Sequence, residues 1–177
     1  PVARKLAVQA LEMKAEWLQH RGLISHAISD RRMARFFADA AEGQDKSTNC
    51  IVTSLTSNGE LAALEVCFEC KGRLAMHVIV YNLKFEKSGA GVILMENSLR
   101  DGYKDQIAVY DMLAPGDNYK LDWADASSDV YDWVKPLSLA GHAYARIYLG
   151  YVRPKAKAAI AAMPQSWRKI ISRAAAS

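Results

Sequence analysis

Residues 73–100 read RLAMHVIVYNLKFEKSGAGVILMENSLR. The opening run, Arg73 to Leu83, is rich in β-branched and aromatic residues and predicts a strand. The closing run predicts a helix from about Val92 to Arg100, which Gly102 can end. Between them lies Ser88-Gly89-Ala90-Gly91. A glycine loop at the end of a strand and the start of a helix presents free backbone N–H groups to a pyrophosphate, and the helix dipole adds to the attraction. Gly89 and Gly91 permit close backbone approach where a Cβ would collide, and Lys84 and Lys87 add positive charge. Short glycine patterns also build ordinary strand-to-helix turns, so the local motif leaves both readings open.

Outward from this stretch the period of the apolar residues changes. Upstream, Cys50 to Leu55 and Glu60 to Cys70 are two more β-like runs, separated by Ser-Asn-Gly and Lys-Gly turns, so an antiparallel meander is expected. Along the second run Leu64, Val66, Phe68 and Cys70 share one face, read as the core face. Further upstream, Leu6, Leu11, Trp17 and Leu18 predict a helix closed by Gly22. A second helix starts at Ser29 or Asp30 as N-cap and carries Met33, Phe36, Phe37 and Ala40 up to Gly43. Downstream, Ile107 to Leu113 is one more strand, Asp117 can cap a short helix through Trp123, and Val130 to Leu137 can form a last strand. A helical tail follows, expected to break at Pro154 and Pro164. Helices, meander, crossover helix and returning strand make an α+β pattern.

The chain has 177 residues, 51% hydrophobic and 24% charged, which predicts one domain with one substantial core. No apolar run approaches the roughly 20 residues needed to span a bilayer. The N-terminus lacks a signal-peptide pattern, so a cytoplasmic protein is expected. It opens at Pro1 directly into a helical pattern, the expectation for a piece of something longer. Cys50, Cys67 and Cys70 are too few for a disulfide framework. Cys67 and Cys70, three apart on a strand, point to opposite faces and cannot share a metal, so no metal site is expected. The net charge is +4. Residues 141–177 hold Arg146, Arg153, Lys155, Lys157, Arg168, Lys169 and Arg173 and no acid, which is +7 and leaves −3 for residues 1–140.

The order of meander, Gly-x-Gly loop, helix and strand resembles the core of the GNAT acyltransferases. Their coenzyme A loop follows Gln/Arg-x-x-Gly-x-Gly/Ala. Glu86-Lys87-Ser88-Gly89-Ala90-Gly91 has both glycines, with Glu86 where that family prefers Gln or Arg. An acid there is electrostatically unhelpful to a pyrophosphate. A second stretch, Tyr110-Asp111-Met112-Leu113-Ala114-Pro115-Gly116-Asp117-Asn118-Tyr119-Lys120-Leu121-Asp122-Trp123, resembles the signature Asp-Phe-Leu-x-Gly-Asp-x-x-Tyr-Lys-x-x-Trp of the CelD-like (cellulose-biosynthesis) subfamily, relatives of Fem-type peptidoglycan aminoacyltransferases. Asp111, Gly116, Asp117, Tyr119, Lys120 and Trp123 carry the likeness, and Ala114-Pro115 depart from its commoner basic region.

The resemblance implies a GNAT fold with a mixed, mostly antiparallel sheet flanked by helices. It implies residues 1–177 as one GNAT-like domain, the C-terminal half of a longer bacterial protein, with a basic helical tail over 141–177. It also implies acyl transfer from acetyl-CoA or another acyl-CoA, held by Lys87, Ser88, Gly89, Ala90 and Gly91, to an amine on a cell-envelope or polysaccharide precursor. Such transfer needs an oxyanion donor, a base path and a proton for the thiolate. Lys120 suits the first, with a solvated helix lysine as the plain alternative. Asp111 can orient substrate or accept a proton, or serve as a strand-end turn residue. Tyr119 can protonate the thiolate or pack with Trp123. His77 and His142 receive no role. Two other functions stay open: aminoacyl transfer from charged tRNA, and a non-catalytic scaffold whose tail (His142, Tyr144, Arg146, Tyr148, Tyr151, Arg153) meets an anionic membrane or RNA. A solvated face packing on a missing N-terminal half explains the tail equally, and a second copy of the chain is a further partner.

Overall fold

Two tight turns close the meander. Asn58-Gly59 and Lys71-Gly72 all have positive φ (51°, 80°, 51° and 73°), the type I′ pattern whose twist matches the flanking strands. They join β1 (Asn49–Ser57), β2 (Glu60–Cys70) and β3 (Arg73–Tyr81) as antiparallel neighbours. A fourth strand, β4 (Val109–Asp111), returns beside β3 in parallel, giving the order β1-β2-β3-β4. The computed structural model describes residues 2–23, 25–43, 49–164 and 167. Its sheet is mixed, mostly antiparallel and flanked by helices, the expected α+β architecture.

One face of the sheet takes α1 (Val2–His20) and α3 (Arg31–Glu42), linked through the single-turn α2 (His26–Ser29). Gly22, at φ 66°, ends α1: Leu23 N–H donates to Leu18 O at 2.8 Å and Gly22 N–H to Gln19 O at 3.0 Å, a Schellman closure. Asp30 is the N-cap of α3, its carboxylate accepting from Arg32 N–H. Ala7, Ala10, Leu11 and Phe37 bury against Leu64, Val66, Val78 and Val80.

The opposite face takes α4 (Ala90–Lys104), with Ala90 and Leu94 against Ala62 and Ala63. Beside them Cys67, Leu74 and Met76 pack with Ile107. So β2 is buried on both faces, where its sequence marked only Leu64, Val66, Phe68 and Cys70 as the core side. The apolar residues at the odd positions were the overlooked sign of a strand sandwiched between helices. Nor does Gly102 stop α4. It is buried in the last turn, where an added Cβ would lie 3.7 Å from Ile107 Cβ. Gln106, at φ 58°, takes the left-handed position instead, with Ile107 N–H donating to Gly102 O.

After α5 (Asn118–Leu121) the chain leaves the sheet. Asp117 is the N-cap of α5 through its backbone, without a side-chain cap, and the helix stops short of Trp123. The expected strand over Val130 to Leu137 is absent: the segment is irregular, with Trp133 90% and Leu137 88% exposed. A β-like composition makes a strand only where an edge offers a ladder, and this segment pairs with none. The tail is helical through α6 (Leu139–Ala143), a π-helical segment Tyr144–Val152 and α7 (Arg153–Ala162). Pro154 does not break it: it is the second residue of α7, where the π-helical segment passes into α-helix. Pro164 does end it: Met163 is extended, as the residue before a proline prefers. Arg168, Lys169 and Arg173 lie outside the described residues. No helix among the described residues is long and apolar enough to cross a membrane.

Candidate active site

The parallel ladder between β3 and β4 holds only three pairs, Arg73 with Val109, Leu74 with Tyr110 and Ala75 with Asp111. Beyond Ala75, β3 runs on to Tyr81 while the chain after β4 turns away. A bulge accompanies the parting, since Val66 faces Val78 and Cys67 faces Met76, leaving His77 as an extra residue. The result is a gap beside the second half of β3, with the glycine loop at the strand's end.

That loop begins as a 3₁₀ turn, Leu83–Ser88, capped by Asn82. Gly89 follows at φ 66°, ψ 24° and is the N-cap of α4 without any side-chain cap. A Cβ on Gly89 would meet nothing within 4 Å, so its glycine answers to backbone conformation and leaves open space beside the first amides. Gly91 is different. A Cβ there would come 3.3 Å from Tyr81 Cδ1, so it lets α4 lie close on β3. Lys87 and Ser88 are exposed, and Ala90 is buried under the helix. Lys84 is committed to Glu60. Glu86, the departure from the loop pattern, is turned toward α1: Arg21 Nη2 lies 3.4 Å from its carboxylate. Tyr81 Oη lies between them, accepting from Arg21 at 3.1 Å. The acid is thus paired, which reduces its repulsion of an anion at Gly89. His20, Arg21, Leu23 and Glu86 line an open depression here.

Two lysines donate to backbone carbonyls of the two chain segments that part here. Lys120, on α5, is only 8% exposed and donates to the carbonyls of Met112 (2.8 Å) and Leu113 (3.0 Å). Burial lowers its pKa, opposed by Asp117 and Asp111. Lys14, on α1, donates to Ile79 O at 3.0 Å, beyond the point where β4 has left β3. Its pKa is lowered first by burial and then by Lys120. Trp17 lies under both Lys14 and Arg21, with ring distances of 4.6 and 4.5 Å.

The remaining expected residues divide. Asp111 ends β4 with both oxygens engaged: Oδ1 accepts from Leu113 N–H at 2.9 Å, and Oδ2 from Arg73 at 3.1 Å. It has the geometry of a strand-end turn. Tyr119 is 40% exposed, and burial followed by Asp117 raises its pKa, so it holds its proton at neutral pH. Cys67 and Cys70 are both free, and among the described residues no group of acids, histidines and cysteines could hold a metal. His77 packs edge-on against Phe68.

Lys14, Arg21 and Tyr81 were not singled out from sequence. Lys14 had a signal, a cation three residues from Leu11 and four from Leu18 on the buried stripe of α1. A fourth overlooked residue is Glu65, 1% exposed in mid-strand. Its carboxylate accepts from Ser98 Oγ and Tyr110 Oη, tying β2 to α4 and β4. An acid inside an apolar strand was the visible sign.

Thus β3 parts from β4 beside a helix N-terminus that no side chain caps. The chain belongs to the acetyltransferase (GNAT) domain family, whose model matches residues 3–121. Among solved structures it is similar to the ribosomal-protein-alanine N-acetyltransferase of Brucella melitensis biovar Abortus 2308, at 13% identity and a TM-score of 0.50 over 76% of this chain and 94% of that one. It is also similar to the ribosomal-protein-S18-alanine N-acetyltransferase of Escherichia coli, at 18% identity and a TM-score of 0.41 over 51% of this chain. The chain spans 56% of that enzyme's length. At 13% identity the likeness to the Brucella protein is one of fold. No curated protein matches the chain.

Proposed function

We propose that this domain transfers an acyl group from acyl-CoA to an amine. The observation that carries the reading is Gly89, which opens α4 in a left-handed conformation with no side chain over the first amides and free space beside them. Those N–H groups, with Lys87, suit the pyrophosphate, and Ser88, Ala90 and Gly91 complete the loop. The bound cosubstrate supplies the activated thioester. The amine forms the new C–N bond, the C–S bond breaks, and the proton lost by the amine is balanced by one gained by the thiolate.

Lys120 has spent two of its three N–H donors on Met112 and Leu113, leaving one for the thioester oxygen. Tyr119, which keeps its proton at neutral pH, is our donor to the thiolate. Asp111 acts from a distance, by fixing Leu113 and hence the carbonyl that Lys120 holds. The CelD-like signature in Asp111–Trp123 supports a cell-envelope or polysaccharide precursor as the acceptor. The reading requires the cytoplasm, where acyl-CoA is found, and treats residues 1–177 as one domain with its tail.

Calorimetric titration of acetyl-CoA into the chain tests it. Saturable binding that weakens at least tenfold in Gly89→Val is expected, because the side chain would fill the space beside the amides and strain the left-handed backbone. Binding indifferent to that substitution would remove the loop from the site, and no binding would sink the reading.

A further inference from the structure

We propose that the tail from Trp133 to Ala162 lies along the surface of an anionic lipid bilayer, seated on it without crossing. The segment exposes what a folded domain normally covers: Trp133 and Leu139 are each 90% exposed, and Tyr144, Ile147, Tyr148, Tyr151 and Val152 are exposed as well. Tyr144 and Tyr148 stack on one another at 5.0 Å, forming part of an aromatic surface open to solvent. Lys155 rests over the Tyr151 ring at 3.9 Å, its stem along the aromatic side chain as lysines lie at interfaces.

Charge chooses the occupant. The last acid in the sequence is Asp132, and Lys135, Arg146, Arg153, Lys155 and Lys157 follow it within the described tail. A second copy seated face to face would bring these like charges together, which opposes a symmetric pairing. RNA would satisfy the cations and stack the tyrosines, but it offers no hydrocarbon for Leu137, Leu139, Ile147 and Val152. An anionic bilayer accepts all three classes: aromatics at the headgroup level, aliphatic side chains at the acyl boundary, and cations against the phosphates. Asp122, Asp125, Asp129 and Asp132 precede the tail, so repulsion from the same surface would confine the contact to residues after them. No helix among the described residues is long and apolar enough to span, which fits an interfacial pose.

The test is co-sedimentation of the full chain with vesicles of phosphatidylcholine alone and of phosphatidylcholine mixed with phosphatidylglycerol. Binding to the anionic vesicles that falls steeply with salt is expected, with little to the neutral ones. The triple variant Arg153→Glu, Lys155→Glu, Lys157→Glu should bind about a hundredfold more weakly. Ile147→Ser with Tyr148→Ser should weaken binding about tenfold at unchanged charge. All five positions are exposed, and circular dichroism checks that the helices persist. Equal binding to both vesicles, or none, overturns the proposal. So does a dimer in vesicle-free solution that Ile147→Ser dissociates, which would assign the face to a second copy, or binding to RNA alone.

Discussion

A buried carboxylate between two hydroxyls sets a testable balance at Glu65. Burial raises its pKa, and the hydrogen bonds from Ser98 and Tyr110 oppose the rise without cancelling it. The native state therefore keeps a proton that the unfolded chain releases from about its ordinary value of 4.5. By linkage, this residue's contribution to stability is fullest below that pH and is lost as pH rises through the native value. Glu65→Gln should flatten that decline, seen as a smaller difference between urea midpoints at about pH 4 and pH 7 than in the parent. Glu65→Ala should cost about 2 kcal/mol or more in urea unfolding, because it strands the buried Ser98 hydroxyl and the half-buried Tyr110 one. Gly89 gives a sharper case. With open space around its Cβ position, Gly89→Ala is expected to cost about 1 kcal/mol from the left-handed backbone alone, measured by the same unfolding midpoint.

At the scale of elements, four described residues other than glycine hold a left-handed backbone, Asn58, Lys71, Gln106 and Leu113. Lys71 at φ 51° opens the β2–β3 turn, and Gln106 at φ 58° closes α4. Lys71→Asn and Gln106→Gly should each stabilise the fold by about 0.5–1 kcal/mol, additively, since they sit in different turns; chemical denaturation of the double variant checks both. The elements themselves were largely legible. The turns at Asn58-Gly59 and Lys71-Gly72, the start of β2 at Glu60 and its end at Cys70, and the Gly22 closure follow from local chemistry. The end of α4 was misread at Gly102 because glycine serves there as a packing contact to Ile107, a property of two elements meeting. The strand expected over Val130 to Leu137 failed for a similar reason: its composition says nothing about whether an edge exists to receive it.

For the whole molecule, the sheet and its two helical layers are nearly separate from the chain beyond α5. Removing residues 139–177 should change the unfolding free energy by less than about 1 kcal/mol, because residues 139–160 lie almost wholly at the surface. A larger loss in thermal or urea unfolding would show that the tail packs on the body in solution. Acyl-CoA binding at the loop should survive the truncation, since Gly89 and α4 are held by β2 and β3.

By itself the sequence determined the order of the main elements from α1 to β4, the meander, the glycine loop and the uneven charge, because periodicity, turn conformation and charge are properties of neighbouring residues. The pairing of Arg21 with Glu86, the seating of Lys14 on the Ile79 carbonyl and the burial of Glu65 under Ser98 and Tyr110 were decided only in the tertiary structure. Each joins residues from different elements, and their proximity depends on how the helices lie on the sheet and where β4 parts from β3. Desolvation then sets their chemistry, and a chain read residue by residue carries no measure of what will cover it.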